Sequence, residues 1–182
     1  ANPSTRVSPT SAAHVEHYFG DRIPAILDGG TCQVGLESTI VGFDGETPII
    51  YRKGGISVEA IEAIVGSVIL ITENETTPQA PGMSLKHYAP KTPLRICDNL
   101  TEMLSLNPNK KVGILSFYED AFPNAERVIV LSKDKNLEMA AQGLFAALHT
   151  LDAMGLDLIL AERFPEAGLG RSINDRLFRA QN

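Results

Sequence analysis

Between Asn74 and Pro93 the hydrophobic periodicity of the chain disappears, and prolines at 78, 81, 90 and 93 take its place. Proline fixes its own φ and pushes the residue before it out of the helical region, so the stretch must be a stiff, extended connector. It separates residues 1–73 from residues 94–182, and no helix or strand can run across it. Within it lies APGMSLKHYAP, which places an adjacent histidine and tyrosine, His87 and Tyr88, in a rigid and irregular setting.

After the connector the pattern is regular. LRIC, KVGILSF, ERVIVLS and DLILA read as strands. Asn99, with Glu102 at the capping-box position, starts one helix. A long helix places Leu137, Ala141, Leu144, Leu148 and Leu151 on one stripe and ends at Gly155, and a last helix aligns Leu169, Ile173, Leu177 and Ala180. Strands alternating with helices predict an α/β fold, here a small Rossmann-like domain with a parallel sheet over 94–182.

Before the connector the order is looser. Ser8 and Pro9 form a helix-start signature, with Ala12, Val15 and Phe19 on one face and Gly20 as the stop. IPAILDGG predicts a short strand and glycine turn. Two β-branched runs about Asp44 and Gly45 predict a hairpin from Ser38 to Lys53. Ser57 caps a second helix with Val58, Ile61, Ile64 and Val65 inward, and residues 67–73 form a buried strand. These elements leave sheet edges open, so residues 1–73 are expected to be part of a larger sheet.

Composition narrows the function. In 182 residues, 43% hydrophobic and 21% charged side chains suit a water-soluble globular protein, and no apolar run is long enough to span a bilayer. A cytoplasmic location with no membrane partner is the expectation. The net charge of -6 opposes a nucleic-acid backbone as a direct partner. Cys32 and Cys97 have no metal-ligand spacing and are expected as buried small hydrophobes. His14 and His17, three apart in HVEH, lack the spacing of a zinc-protease helix and a third ligand, so no metal site is assigned.

ANPSTRVSPTSAAHV, DGG, GLESTIV, YRKGGIS, APGMSLKHYAP and GLGRSINDRL occur in this order. Together they resemble the long two-domain threonylcarbamoyl-AMP synthases, which join a YrdC-like domain to a Rossmann-like C-terminal domain. The resemblance implies a partial YrdC-like domain over 1–73, a linker and lid over 74–93, and the C-terminal domain over 94–182. It implies that an amino-terminal part precedes Ala1 in such enzymes, which would leave this piece inactive alone.

The implied nucleotidyltransferase reaction joins ATP, L-threonine and bicarbonate into threonylcarbamoyl-AMP and pyrophosphate for tRNA modification. ATP is a substrate accompanied by Mg2+, and tRNA-modification proteins are the implied partners. By resemblance Asn2, Arg52, His87 and Tyr88 contact ATP, Ser38 contacts threonine, and Ser8, Thr10 and Thr39 are further ligand contacts. No residue is assigned a covalent catalytic role. Lys53 stands where the family has proline. His87 and Tyr88 are expected on a lid over the cavity, or as glue between two domains.

Two motifs stay outside that reading. Gly168-Leu169-Gly170 follows the last strand, whereas a dinucleotide loop follows the first, so close helix packing is its expected use. His149, within the long helix, is expected to be structural. The alternative to an enzyme is a noncatalytic nucleotide- or protein-binding regulatory module.

Overall fold

A computed structural model describes residues 2–71 and 87–181. Four parallel strands, β4 (Leu94–Cys97), β5 (Val112–Ser116), β6 (Arg127–Val130) and β7 (Leu158–Glu162), form one sheet in the order β4-β7-β5-β6. β5 and β7 are central, and their side chains are buried on both faces, which is why they read as continuous apolar runs. Val112, Ile114, Leu158 and Leu160 face a cluster with Leu100 and Leu104 of α3 (Leu100–Ser105). Leu115, Ile159 and Ala161 face the opposite cluster, built from α4 (Leu137–Asp152) and α5 (Gly170–Gln181). Asn99 and Asn136 cap α3 and α4 by accepting from the amides of Glu102 and Met139.

The first part of the chain carries α1 (Ala12–Phe19), the hairpin β1 (Ile40–Asp44) and β2 (Thr47–Arg52), α2 (Val58–Val65), and β3 (Ile69–Leu70). β1 pairs antiparallel with β2, and β3 pairs parallel with β2. The hairpin turn sits at Gly45 and Glu46, one residue beyond the expected dipeptide, with Gly45 at φ 59°.

Five local expectations are corrected. IPAILDGG forms no strand: Pro24 lacks a donor and Leu27 is 99% exposed. Ser11, not Ser8, caps α1, because the Ser8 hydroxyl is engaged elsewhere. Cys32 is exposed, whereas Cys97 is buried as expected. On α2 only Val58 is buried, and Ile64 is 86% exposed. The strand expected over 67–73 is described only through residue 71, is paired at Ile69 and Leu70, and leaves Ile69 half exposed. The expected linker falls outside the described residues up to residue 86.

Residues 2–71 build no core of their own among the described residues. Their buried apolar side chains are Val7, Pro48, Ile50 and Val58, and Val7 joins the α4/α5 cluster together with Tyr88. Among the described residues, all the exposed large apolar side chains except Leu106, Met139 and Met154 lie between Ile23 and Ile69.

Candidate functional site

The opening segment runs against the strap that follows the connector. Arg6 and Ala89 form a parallel bridge, and the Ala89 amide donates to Thr5 O at 2.8 Å. Thr5 takes a left-handed φ of 69°, which turns the chain so that Asn2 Nδ2 donates to Arg6 O at 2.7 Å. Ser8 donates to Glu37 Oε1 at 2.6 Å, and the Thr10 amide donates to His14 Nδ1 at 3.1 Å. Asn2, Ser8, Thr10, Cys32, Glu37 and Phe145 line a cavity of about 230 Å³. That volume suits a subsite, since whole small-molecule pockets start near ~300 Å³.

Ser38 and Arg52 meet across the hairpin. The Arg52 guanidinium donates to Ser38 O at 2.9 Å and more weakly to Ser38 Oγ at 3.3 Å. The Ser38 hydroxyl proton is thereby turned away from the arginine and available to an acceptor. Thr39 lies elsewhere: its hydroxyl donates to Ile56 O at 2.7 Å and accepts from the Ile56 amide at 3.1 Å, clasping the hairpin to the turn before α2. Gly54 fits beneath this clasp, where a Cβ would overlap the Ser38–Thr39 backbone.

His87 and Tyr88 approach from the other side. Tyr88 is 1% exposed, takes φ 60°, and packs its ring against His87 at 4.0 Å and Phe145 at 5.5 Å between centroids. A bulky residue at positive φ stores strain that the surroundings must hold. Burial, opposed by Glu37 and assisted by Arg176, Arg179 and Arg52, holds His87 below its ordinary pKa, so the ring is neutral at pH 7. Burial raises the Tyr88 phenol, which keeps its proton. Among the described residues neither Tyr88 Oη nor His87 Nδ1, both buried, has a hydrogen-bond partner. Buried polar atoms are normally paired, so both atoms hold unused hydrogen-bonding capacity.

Behind the site stands an ionic group absent from the sequence reading. Arg176 donates to Glu37 at 2.9 Å, to Asp175 at 2.6 Å and to Lys53 O at 2.8 Å, and Arg179 bonds Asp175 at 3.1 Å. Glu37 and Arg176 are 139 positions apart, so no local pattern joins them. The available signal is on α5, where Asp175 and Arg179 fall off the apolar stripe four residues apart, a spacing that permits pairing.

The remaining candidates lie apart. His14 stacks on His149 at 3.9 Å, and His149 Nε2 sits 3.1 Å from Ser8 O, giving His149 a structural role between α1 and α4. Among the described residues no three His, Cys, Asp or Glu side chains are placed to hold a metal. Gly170 lies where a Cβ would collide with the Pro165 carbonyl, so it serves close packing, whereas Gly168 has room for a Cβ and takes φ 52°.

Comparison with known proteins decides the family. The model of the threonylcarbamoyl-AMP synthase C-terminal domain matches residues 56–181. The chain belongs to the threonylcarbamoyl-AMP synthase family. A second family model, described as telomere recombination, matches residues 1–54. The threonylcarbamoyl-AMP synthase of Bacillus subtilis is 37% identical over 99% of this chain and 55% of its own length. That of Pyrococcus abyssi is 34% identical over 99% of the chain and 56% of its own. The chain thus spans about half the length of the curated relatives it matches.

The solved P. abyssi Sua5 in complex with L-threonine superposes with a TM-score of 0.85 at 33% identity, covering 99% of this chain and 56% of that one. A solved variant of the same protein, with an adjacent histidine and tyrosine both replaced by alanine, gives 0.83 at 31% identity, covering 99% of this chain and 55% of that one. The α/β fold with its parallel sheet is shared with these structures.

Proposed function

We propose that this chain supplies the strap side of the nucleotide site and part of the threonine pocket of a threonylcarbamoyl-AMP synthase. The reaction joins L-threonine, bicarbonate and ATP into threonylcarbamoyl-AMP and pyrophosphate, for tRNA modification. The observation that carries the reading is the pair of buried, unpartnered polar atoms, Tyr88 Oη and His87 Nδ1, on the two residues the resemblance assigns to ATP. The relatives support the substrates: one bears the activity in its name, and one was solved with L-threonine.

Bicarbonate yields CO2, the threonine amine captures it as a carbamate, the hydroxide and the amine proton leave as water, and the carbamate oxygen then attacks the α-phosphorus and displaces pyrophosphate. Such a step needs positioning and charge neutralisation more than covalent help. Tyr88 Oη donates to a nucleotide oxygen, and His87, neutral, offers one ring nitrogen as donor or acceptor. The Ser38 hydroxyl donates to the threonine carboxylate or hydroxyl. Arg52, swung from the Ser38 carbonyl, directs its planar fork toward phosphate oxygens. Asn2, Ser8 and Thr10 offer polar groups to the 230 Å³ subsite. Packing of the strap against Phe145 and Val7 excludes water from a mixed anhydride that hydrolyses readily. Mg2+ would accompany the nucleotide phosphates.

The test supplies ATP, L-threonine and bicarbonate and follows pyrophosphate release. The chain is assayed alone and combined with the portion of the Bacillus subtilis relative that it does not cover. Release only in the combination supports the reading. One observation favours the second reading, a noncatalytic module: the exposed apolar side chains between Ile23 and Ile69 suit a docking surface. No release in either arm would favour that module.

A further inference from the structure

We propose that Arg176, on the last helix of the C-terminal domain, is a positioning residue that sets the Tyr88 ring and the Glu37 carboxylate of the nucleotide site. The inference rests on the proposed synthase reading and gives the C-terminal domain a part in it: α5 is the rear wall of the site.

Arg176 has a fully buried side chain, and a buried guanidinium is tolerated only when its donors are satisfied. Here all three edges are used. Nε donates to Glu37 Oε2, Nη1 to Asp175 Oδ2 and Nη2 to Lys53 O, at 2.9, 2.6 and 2.8 Å. Its carbon centre lies 5.0 Å from the Tyr88 ring centroid, within cation–π range. The other Glu37 oxygen accepts from Ser8, a wall of the 230 Å³ subsite. Asp175 is shared with Arg179, so within this group two cations face two carboxylates.

The same face of α5 touches the site at two further points. Ser172 Oγ, one turn before Arg176, donates to Gly54 O at 2.9 Å, and Arg179 O, one turn after, accepts from the His87 amide at 3.1 Å. One helical stripe therefore fixes the backbone beside Arg52, the carboxylate beside Ser38, and both strap residues. Tyr88 holds a left-handed φ, and the arginine face beneath its ring opposes relaxation of that strain. A lysine could meet one of these directions, because its ammonium lacks both the planar fork and the extended face.

The test compares the wild-type chain with Arg176→Lys and Glu37→Gln. ATP affinity is read by titration calorimetry, thermal stability by melting, and the Tyr88 ring by NMR, assigned with Tyr88→Phe. The expected result is a shifted Tyr88 ring signal in both variants and an ATP dissociation constant raised about 10-fold or more in Arg176→Lys while the protein remains folded. A lower melting temperature with unchanged ATP affinity and an unmoved Tyr88 signal would mean that Arg176 only holds the fold, which overturns the proposal. If wild type binds no ATP, alone or with the uncovered portion of the Bacillus subtilis relative, the synthase reading fails. The ring signal then decides the positioning role by itself, and an unmoved ring overturns it.

Discussion

At the scale of single residues, Tyr88 separates folding from binding. Its hydroxyl has no partner among the described residues while its ring sits in the main core cluster. Removing an unpaired buried hydroxyl takes away a desolvation cost of about 1–3 kcal/mol. Tyr88→Phe is therefore expected to melt at the same temperature as wild type or higher, and to bind ATP more weakly; a clear loss of stability would show that the hydroxyl serves the fold. His149 makes a pH prediction. Burial, then the neighbouring His14, lower its pKa to about 4, with the Ser8 carbonyl and Asp152 opposing. A histidine whose folded pKa lies below its unfolded value gives stability that is complete above about 6.5 and is lost as pH falls toward 4. After discounting for partial exposure, the loss is on the order of 1–2 kcal/mol. Arg6, His17, Tyr18, Lys91 and Asp152 line the same cavity, so the comparison to make is the pH dependence of melting in wild type and His149→Gln. A flatter profile in the variant is the expected outcome.

At the scale of elements, the second half of the chain was legible because its information is local. Asn99 sits at the cap it announces, the stripe of α4 is buried, and β5 and β7 are apolar on both faces because helices cover both. Asn136→Ala removes the α4 cap and is expected to cost about 1 kcal/mol in denaturant unfolding. The first half was less legible because its partners are distant. Ser8 looked like a cap, but its hydroxyl is taken by Glu37, 29 positions on, and the capping falls to Ser11. The α2 stripe is apolar as its spacing predicts but is not buried, since nothing among the described residues covers Ile64. Of the candidate site, the resemblance supplied the residues proposed for the nucleotide and threonine, and the geometry added Glu37 and Arg176. Gly35 shows how tightly the halves fit: at φ 77° it lies against the α4 backbone at Ala141 and Gln142, where a Cβ would overlap. Gly35→Ala should destabilise by more than about 2 kcal/mol and detach this loop, seen as faster amide exchange at Leu36 and Glu37.

At the scale of the whole molecule, the two family matches describe one connected body. Val7 and Tyr88 are buried in the core that α4 and α5 provide, and the ionic group at Arg176 ties the hairpin region to the last helix. The candidate site lies at that junction, where a stiff strap can be held against both parts. The central claim is that this strap contacts the nucleotide through His87 and Tyr88. The most direct measurement is the ATP affinity of wild type and His87→Ala, each combined with the uncovered portion of the Bacillus subtilis relative and matched for folded protein. The account predicts an affinity loss of about 10-fold or more in the variant; an unchanged affinity would contradict it and leave the pair as packing between the two parts.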